Sequence, residues 1–168
     1  DARETKLLTV QRELETAILG NWAGTYADSD KHARKAIAVA EALPDDQKNE
    51  RDAQYLLARA YDALAEATYY GESPAAAESP YRRLVEITAA HMSARPDDTL
   101  AMRMAIEARW GLGSTLLGID RPKDALVEMQ AAAVLVPKLI AYQPDDIGAQ
   151  RTQRIVYSAL AQALALER

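Results

Sequence analysis

Three copies of one short pattern govern how this chain can fold. Pro-Asp-Asp occurs at Pro44-Asp45-Asp46, Pro96-Asp97-Asp98 and Pro144-Asp145-Asp146, and an Arg follows each Pro by seven residues, at Arg51, Arg103 and Arg151. A chain that repeats at a near-constant interval builds one supersecondary unit several times and stacks the copies. A second register runs inside the first. Leu112-Gly113 has counterparts 48 residues to either side, at Leu64-Ala65 and Leu160-Ala161, and Leu19-Gly20 lies 45 residues before Leu64. The marks divide a single domain over 1–168 into four units, about 1–43, 44–95, 96–143 and 144–168, the last incomplete. The Pro-Asp-Asp copies are spaced by 52 and then 48 residues. The four extra residues fall between Pro44 and Leu64, and one added helical turn would keep the same face inward.

Between the marks the apolar period is that of a helix. Ala101, Met104, Ala105, Ala108, Leu112, Thr115 and Leu116 fall at steps of three and four, and so do Val156, Ala159, Leu160, Ala163 and Leu164. Ala and Leu dominate the apolar residues and Phe is absent, a mix that favours helix over strand. The punctuation agrees. Gly71 and Gly118 stand where helix ends call for a residue tolerant of positive φ. Ser73-Pro74 reads as an N-cap followed by Pro at the first helical position, and each Pro-Asp-Asp as a stop followed by a capping carboxylate. Seven helices follow, over 2–19, 29–43, 47–70, 74–94, 98–117, 122–142 and 146–166, forming three hairpins and a closing helix. Pro137 is expected to kink or end the sixth. Ser79-Pro80 repeats the Ser73-Pro74 pattern and offers a later start for the fourth.

These residues resemble the tetratricopeptide repeat family. There a Leu-Gly pair sits midway along the first helix of each hairpin. An Ala, a bulky residue and a second small residue follow on the second helix, and a Pro closes the unit. The third unit carries Leu112-Gly113, Ala125, Met129, Ala132 and Pro137 at the family's spacings. The second carries Leu64-Ala65, Ala77, Tyr81 and Leu84, with Ala89 in place of the closing Pro. The first carries Leu19-Gly20 and Pro44, with His32 where a small Ala is expected. Spacing between units is longer than the family norm, as if each second helix ran on past its Pro. This long-helix variant is similar to repeat regions appended to bacterial multidomain signalling proteins. The resemblance implies an all-α, right-handed α-solenoid of antiparallel hairpins, in which each hairpin packs on its neighbours. It also implies a concave groove, lined by the first helices, that holds a partner's peptide.

By that analogy the groove positions lie five and two residues before each marked Leu, and two and five after it. They are Arg59, Asp62, Glu66 and Tyr69 in the second unit, and Glu107, Trp110, Ser114 and Leu117 in the third, with Asn21 in the first. The functional reading is an aromatic floor with an acidic rim, since Trp and Tyr bury much area at low entropic cost. The bland reading is that Trp110 and Tyr69 pack between neighbouring helices. A clamp for a partner's terminal carboxylate is not expected, because only Arg59 and Asn21 would serve among three carboxylates. Arg51, Arg103 and Arg151 read more simply as a repeated structural device, each reaching a carboxylate or helix end on the adjacent hairpin, than as an anion-binding ladder.

Other classes of function find little support. The formal charge is −5 with no basic run, which argues against a nucleic-acid partner and favours a neutral, cationic or apolar one. Without Cys there is neither disulfide nor thiolate chemistry, and either redox compartment fits, the reading leaning to cytoplasm over periplasm. No apolar run approaches the roughly 18 residues of a membrane span. No signal-like segment stands out, and a chain opening at Asp1 reads as a processed or trimmed piece. His32, near Asp28 and Asp30, looks like part of a helix start, and His91 like a hydrogen-bonded core residue. Neither has a nucleophile or metal set beside it in sequence. Neither metal nor cofactor is expected, and the chain is not read as an enzyme. The leading expectation is a protein-interaction scaffold. The alternatives are a ligand-sensing regulatory domain and a dimerisation element. For the last, the final helix is expected to pack inward through Val156, Leu160 and Leu164 and to offer Ile155, Ala159, Ala163 and Leu166 to a second copy.

Overall fold

The computed structural model describes residues 2–166. About 88% of the described residues are helical, and none of them lies in a strand. Eight helices follow in order: α1 Ala2–Ala23, α2 Tyr26–Glu41, α3 Asp45–Lys48, α4 Arg51–Gly71, α5 Pro74–Ala94, α6 Thr99–Gly118, α7 Pro122–Tyr142 and α8 Ile147–Leu166. They fall into two compact units, residues 1–87 and 88–168, with the division inside α5.

Unit 1 is built on α1, α2 and α4, each of which packs on the other two. Its core joins Val10, Leu14 and Ala17 of α1, Ala33, Ala36, Ile37 and Ala40 of α2, and Ala60, Ala63 and Leu64 of α4. Six of those ten side chains are Ala, so the helix axes come close and the fit depends on backbone proximity. Gly20 belongs to this contact: a Cβ there would lie 3.1 Å from Cβ of Ser29. Ser29 is itself fully buried and gives its hydroxyl to the Ala17 carbonyl at 2.7 Å. Gly71 closes α4 by the same means, since a Cβ there would lie 2.7 Å from Cβ of Tyr26.

Unit 2 repeats the plan with α6, α7 and α8. Met102 and Ile106 pack with Ala132, Val136 and Leu139 of α7 and with Ala149 and Val156 of α8. Leu126, Met129 and Ala163 form a second cluster. Met129 lies against Gly113, where a Cβ would come within 2.8 Å of its Cε. Ala125, Met129 and Ala132 are fully buried, as the resemblance implies.

Two of the three Pro-Asp-Asp copies act as expected. Asp98 caps α6 by accepting from the backbone N–H of Leu100 and Ala101 at 3.0 and 3.3 Å. Asp146 caps α8 through Ala149 at 2.6 Å. Arg103 then reaches across to Asp146 at 2.6 Å and to Gln143 at 3.0 Å, which is the structural device foreseen for the repeated Arg. The first copy differs. Asp45 and Asp46 lie within the one-turn α3, and Glu50 precedes α4 without a side-chain capping bond. The four extra residues therefore form a separate turn and do not lengthen α4, so there are eight helices where seven were expected.

Several other expectations are corrected. Gly71 and Gly118 do end helices, but the positive φ angles are at Gly24 (75°) and Asp120 (59°), in the turns that close α1 and α6. Helix α5 starts at Pro74, with Ser73 accepting from Ala76, and runs on through Pro80. Helix α7 is not broken at Pro137; the exposed ring removes one bond while the buried Val136 and Leu139 hold both sides in place. By length and composition α7 is also apolar enough to cross a membrane, its apolar residues interrupted by isolated charges such as Glu128 and Lys138. A core helix has the same composition, and α7 packs on both α6 and α8.

The register of the first unit shifts most. Leu64 and Leu112 are 5% and 1% exposed, whereas Leu19 is 61% exposed, so Leu19 is not their equivalent. Helix α2 begins six residues after Gly20, while α7 begins nine after Gly113. Ser29 therefore takes the small, buried place opposite the glycine, and His32 does not occupy it. Helix α8 is also rotated from expectation. Val156 and Ala163 are buried, Ile155, Ala159 and Leu160 half-buried, and Leu164 is exposed. Of the face assigned to a second copy, only Leu166 is open to solvent.

Candidate functional site

In unit 1 the candidate residues gather on α4. Arg59, Asp62, Glu66 and Tyr69 recur at steps of three and four and so share one face, and Tyr55 precedes them on it. All are exposed or half-buried, while the opposite face, with Ala60, Leu64 and Ala67, is buried. The Arg59 guanidinium lies 5.7 Å from the centre of the Tyr55 ring, a cation–π distance. Asn21 does not line an open face. It is buried where α1 meets α4, and its Nδ2 donates to the Ala63 carbonyl at 3.0 Å and to Glu66 Oε2 at 3.2 Å. Both partners are acceptors, which fixes the orientation of the amide. Asn21 therefore orients the Glu66 carboxylate.

Next to these lies an aromatic group that sequence reasoning missed. Tyr69 meets Tyr70 edge-on at 5.0 Å between ring centres, and Tyr70 stacks on Tyr26 of α2 at 5.6 Å. Tyr81 of α5 stands close to Asp62 and Glu66. Loss of water around it, and then those two charges, raise its hydroxyl well above the ordinary tyrosine range. Trp22, at the end of α1, is 79% exposed. The adjacent Tyr69-Tyr70 was the one available signal for this group; Tyr26 and Tyr81 are brought to it only by the packing of other helices.

In unit 2 the face of α6 carries Arg103, Glu107, Trp110, Ser114 and Leu117 at the same steps. Trp110 is 37% exposed, Ser114 is half-buried, and Leu117 packs against the cluster of Leu126, Met129 and Ala163. Glu107 is open to water on one side and crowded on the other. That crowding raises its carboxyl above the usual range, against the opposing pull of Arg103 and Arg151. The hydroxyl of the buried Thr152 lies 3.5 Å from its Oε1.

A second unforeseen cluster lies between α1 and α2. Glu13 is 3% exposed and accepts from Lys35 at 2.8 Å and Arg12 at 3.0 Å, with His32 Nδ1 at 2.7 Å. The bonds from Lys35 and then His32 hold its carboxyl down at about 2. What shields Glu13 is mainly these long side chains and not the core. His91 is buried, with Nε2 3.8 Å from Asp98 Oδ2. Among the described residues, no three His, Asp or Glu are grouped to hold a metal ion. An open depression along α5, lined by Ala75, Glu78, Ser79, Arg82, Arg83 and Glu86, contains the pairs Arg82–Glu78 and Arg83–Glu86. It lacks the enclosure that a small-ligand site needs.

No family model matches the chain, and no curated protein does. Among solved structures it is similar to a TPR-like protein from Chlorobium tepidum, at 18% sequence identity and a TM-score of 0.66, over 96% of this chain and 98% of that one. At that identity the likeness concerns the fold, which is tetratricopeptide-like.

Proposed function

We propose that the chain is a non-catalytic protein-interaction scaffold in which the open face of α4 in unit 1 and the open face of α6 in unit 2 each hold a partner peptide. The observation that carries this reading is the placement of accessible aromatic side chains, Tyr69 and Trp110, among polar groups on helices whose other faces are closely packed. Tyr and Trp in such settings are the usual anchors of protein interfaces. The fold supports the reading in general terms, because tetratricopeptide-like folds commonly serve as interaction scaffolds. Asn21, Arg59, Asp62, Glu66 and Ser114 would supply orientation and polar contacts around the anchors, and Glu107 a further acceptor.

Selection of peptides from a random display library on the intact chain tests this. Enriched peptides should lose about tenfold or more in affinity for Tyr69→Ala or Trp110→Ala, the loss expected at an aromatic anchor. They should bind Val134→Ala, altered on the exposed side of α7, as they bind the parent. Peptides indifferent to both aromatic variants would overturn the assignment of the faces, and failure to enrich any peptide would overturn the scaffold reading.

A further inference from the structure

The charge of the chain is unevenly placed. Unit 1 holds sixteen Asp and Glu against eleven Lys and Arg, whereas unit 2 holds nine of each. The whole formal charge of −5 therefore belongs to unit 1, and its field attracts cations toward that half of the chain. Within unit 1, Asp62 and Glu66 stand one helical turn apart on the candidate face of α4, with Tyr69 one step further on. Glu66 is held in one orientation by Asn21. Tyr69, Tyr70 and Tyr26 form a continuous group of ring contacts.

We propose that this face of unit 1 receives a lysine or arginine side chain of a partner peptide, with Asp62 and Glu66 as counter-charges and the Tyr69 ring against the apolar stem. The proposal rests on the scaffold reading and adds the chemistry of the ligand. The chain already makes such a contact on the same face, where Arg59 lies over Tyr55. Cations gain from both partners present here, by charge pairing with the carboxylates and by attraction to the ring face. An acidic side chain would meet repulsion from Asp62 and Glu66, and an apolar one would strip water from them without replacing it. The crowding and negative charge that raise the Tyr81 hydroxyl mark the same spot as one that disfavours further anions.

Three synthetic pools of blocked random peptides, alike except that one contains lysine, one norleucine and one glutamate at the variable charged positions, test this by fluorescence anisotropy on the full chain. The lysine pool should bind at least about tenfold more tightly than the norleucine pool, and the glutamate pool most weakly. The double variant Asp62→Asn/Glu66→Gln should erase the preference for lysine. Asp45→Asn/Asp46→Asn, which removes the same charge from α3, should leave it intact. Circular dichroism checks that each variant keeps its helicity. If the α4 double variant does not, Tyr69→Lys replaces it and should likewise erase the preference. A preference that survives at α4, or falls equally in both double variants, overturns the proposal. Equal binding of lysine and norleucine pools, lost in Tyr69→Ala, refutes the cationic ligand while leaving the scaffold reading standing. Failure of all three pools refutes the cationic ligand, and the library selection then decides the scaffold reading separately.

Discussion

Replacing Glu13 by Gln tests whether the ion cluster between α1 and α2 is a working part of unit 1. The carboxyl is held at about 2 against a reference of 4.5. Taken whole, that difference amounts to about 3.4 kcal/mol at roughly 1.36 kcal/mol per pH unit. The whole cannot be realised, because the side chains of Arg12 and Lys35 are 71% and 56% exposed and that of His32 is 32% exposed, so water and salt screen each pair. Exposed pairs contribute about 0.2–1 kcal/mol apiece, and Gln retains part of the hydrogen bonding. The expected loss for Glu13→Gln near pH 7 is therefore about 1–2 kcal/mol, which is about 2–6 °C in Tm for a chain of this size. The sign with pH follows from a depressed acid. The stabilisation is complete above the unfolded value near 4.5 and disappears as pH falls toward about 2. Urea unfolding followed by the helical circular dichroism signal should show parent and variant well separated near neutrality and converging in acid. The gap should also narrow in strong salt. A variant within about 0.3 kcal/mol of the parent at neutrality, no more than one weak exposed pair contributes, would refute the reasoning. So would a gap that does not close in acid.

Other perturbations follow from the packing. Met129→Ala, at a fully buried position against Gly113, should cost about 2–5 kcal/mol in urea unfolding. Gly71→Ala gains about 1 kcal/mol of helix propensity but drives a Cβ against the root of Tyr26; overpacking of about 1–3 kcal/mol should win, with a change in near-ultraviolet dichroism as the Tyr26–Tyr70 stack moves. Gly113→Ala brings a Cβ within 2.8 Å of Cε and 3.1 Å of Cγ of the fully buried Met129; overpacking of about 1–3 kcal/mol should outweigh the roughly 1 kcal/mol of helix propensity and lower the thermal midpoint. Pro137→Ala restores a backbone donor at an exposed site inside α7. Of the roughly 3 kcal/mol that an interior Pro costs, about 1–2 should return as stability after the entropy lost by the more flexible unfolded chain is deducted, read as a raised urea midpoint.

How much of this was legible in the sequence depended on distance along the chain. Helix ends were readable because their signals are local: Ser73-Pro74 opens α5, and Asp98 and Asp146 cap α6 and α8 within three residues. The stripe of α6 was readable in part. Ala101, Ala105, Ala108, Leu112, Thr115 and Leu116 are buried at its steps. Met104 is only half-buried, and Met102 and Ile106, outside that stripe, are fully buried because both α7 and α8 pack on α6. Helix α1 offers no such contrast. Leu7, Leu8, Val10, Leu14, Ile18 and Leu19 satisfy two rotations of the helix, and only contact with α2 and α4 selects the one that buries Leu14 and exposes Leu19. The first Pro-Asp-Asp gave no hint that α3 would separate from α4, since its residues match the other copies. The Glu13 cluster was hidden for a similar reason. His32 and Lys35 are 19 and 22 residues away in sequence, and a hairpin with a shorter turn than expected brings them together. On the candidate faces, family spacing found the residues of α4 and α6 and marked Tyr81 only as a bulky packing residue of the second unit, and it said nothing of Tyr26 and Tyr70, which come from other registers.

On the proposed reading, the open face of α4 and the open face of α6 each hold a peptide. Amide and indole chemical-shift mapping by NMR, with a peptide enriched on the intact chain, tests it most directly. The account predicts that the largest shifts fall on residues around Tyr69 and on the indole of Trp110, with little change at Val127 and Val134 on the exposed side of α7. Saturable binding whose shifts fall on α7, with the surroundings of Tyr69 and the Trp110 indole unmoved, would contradict it.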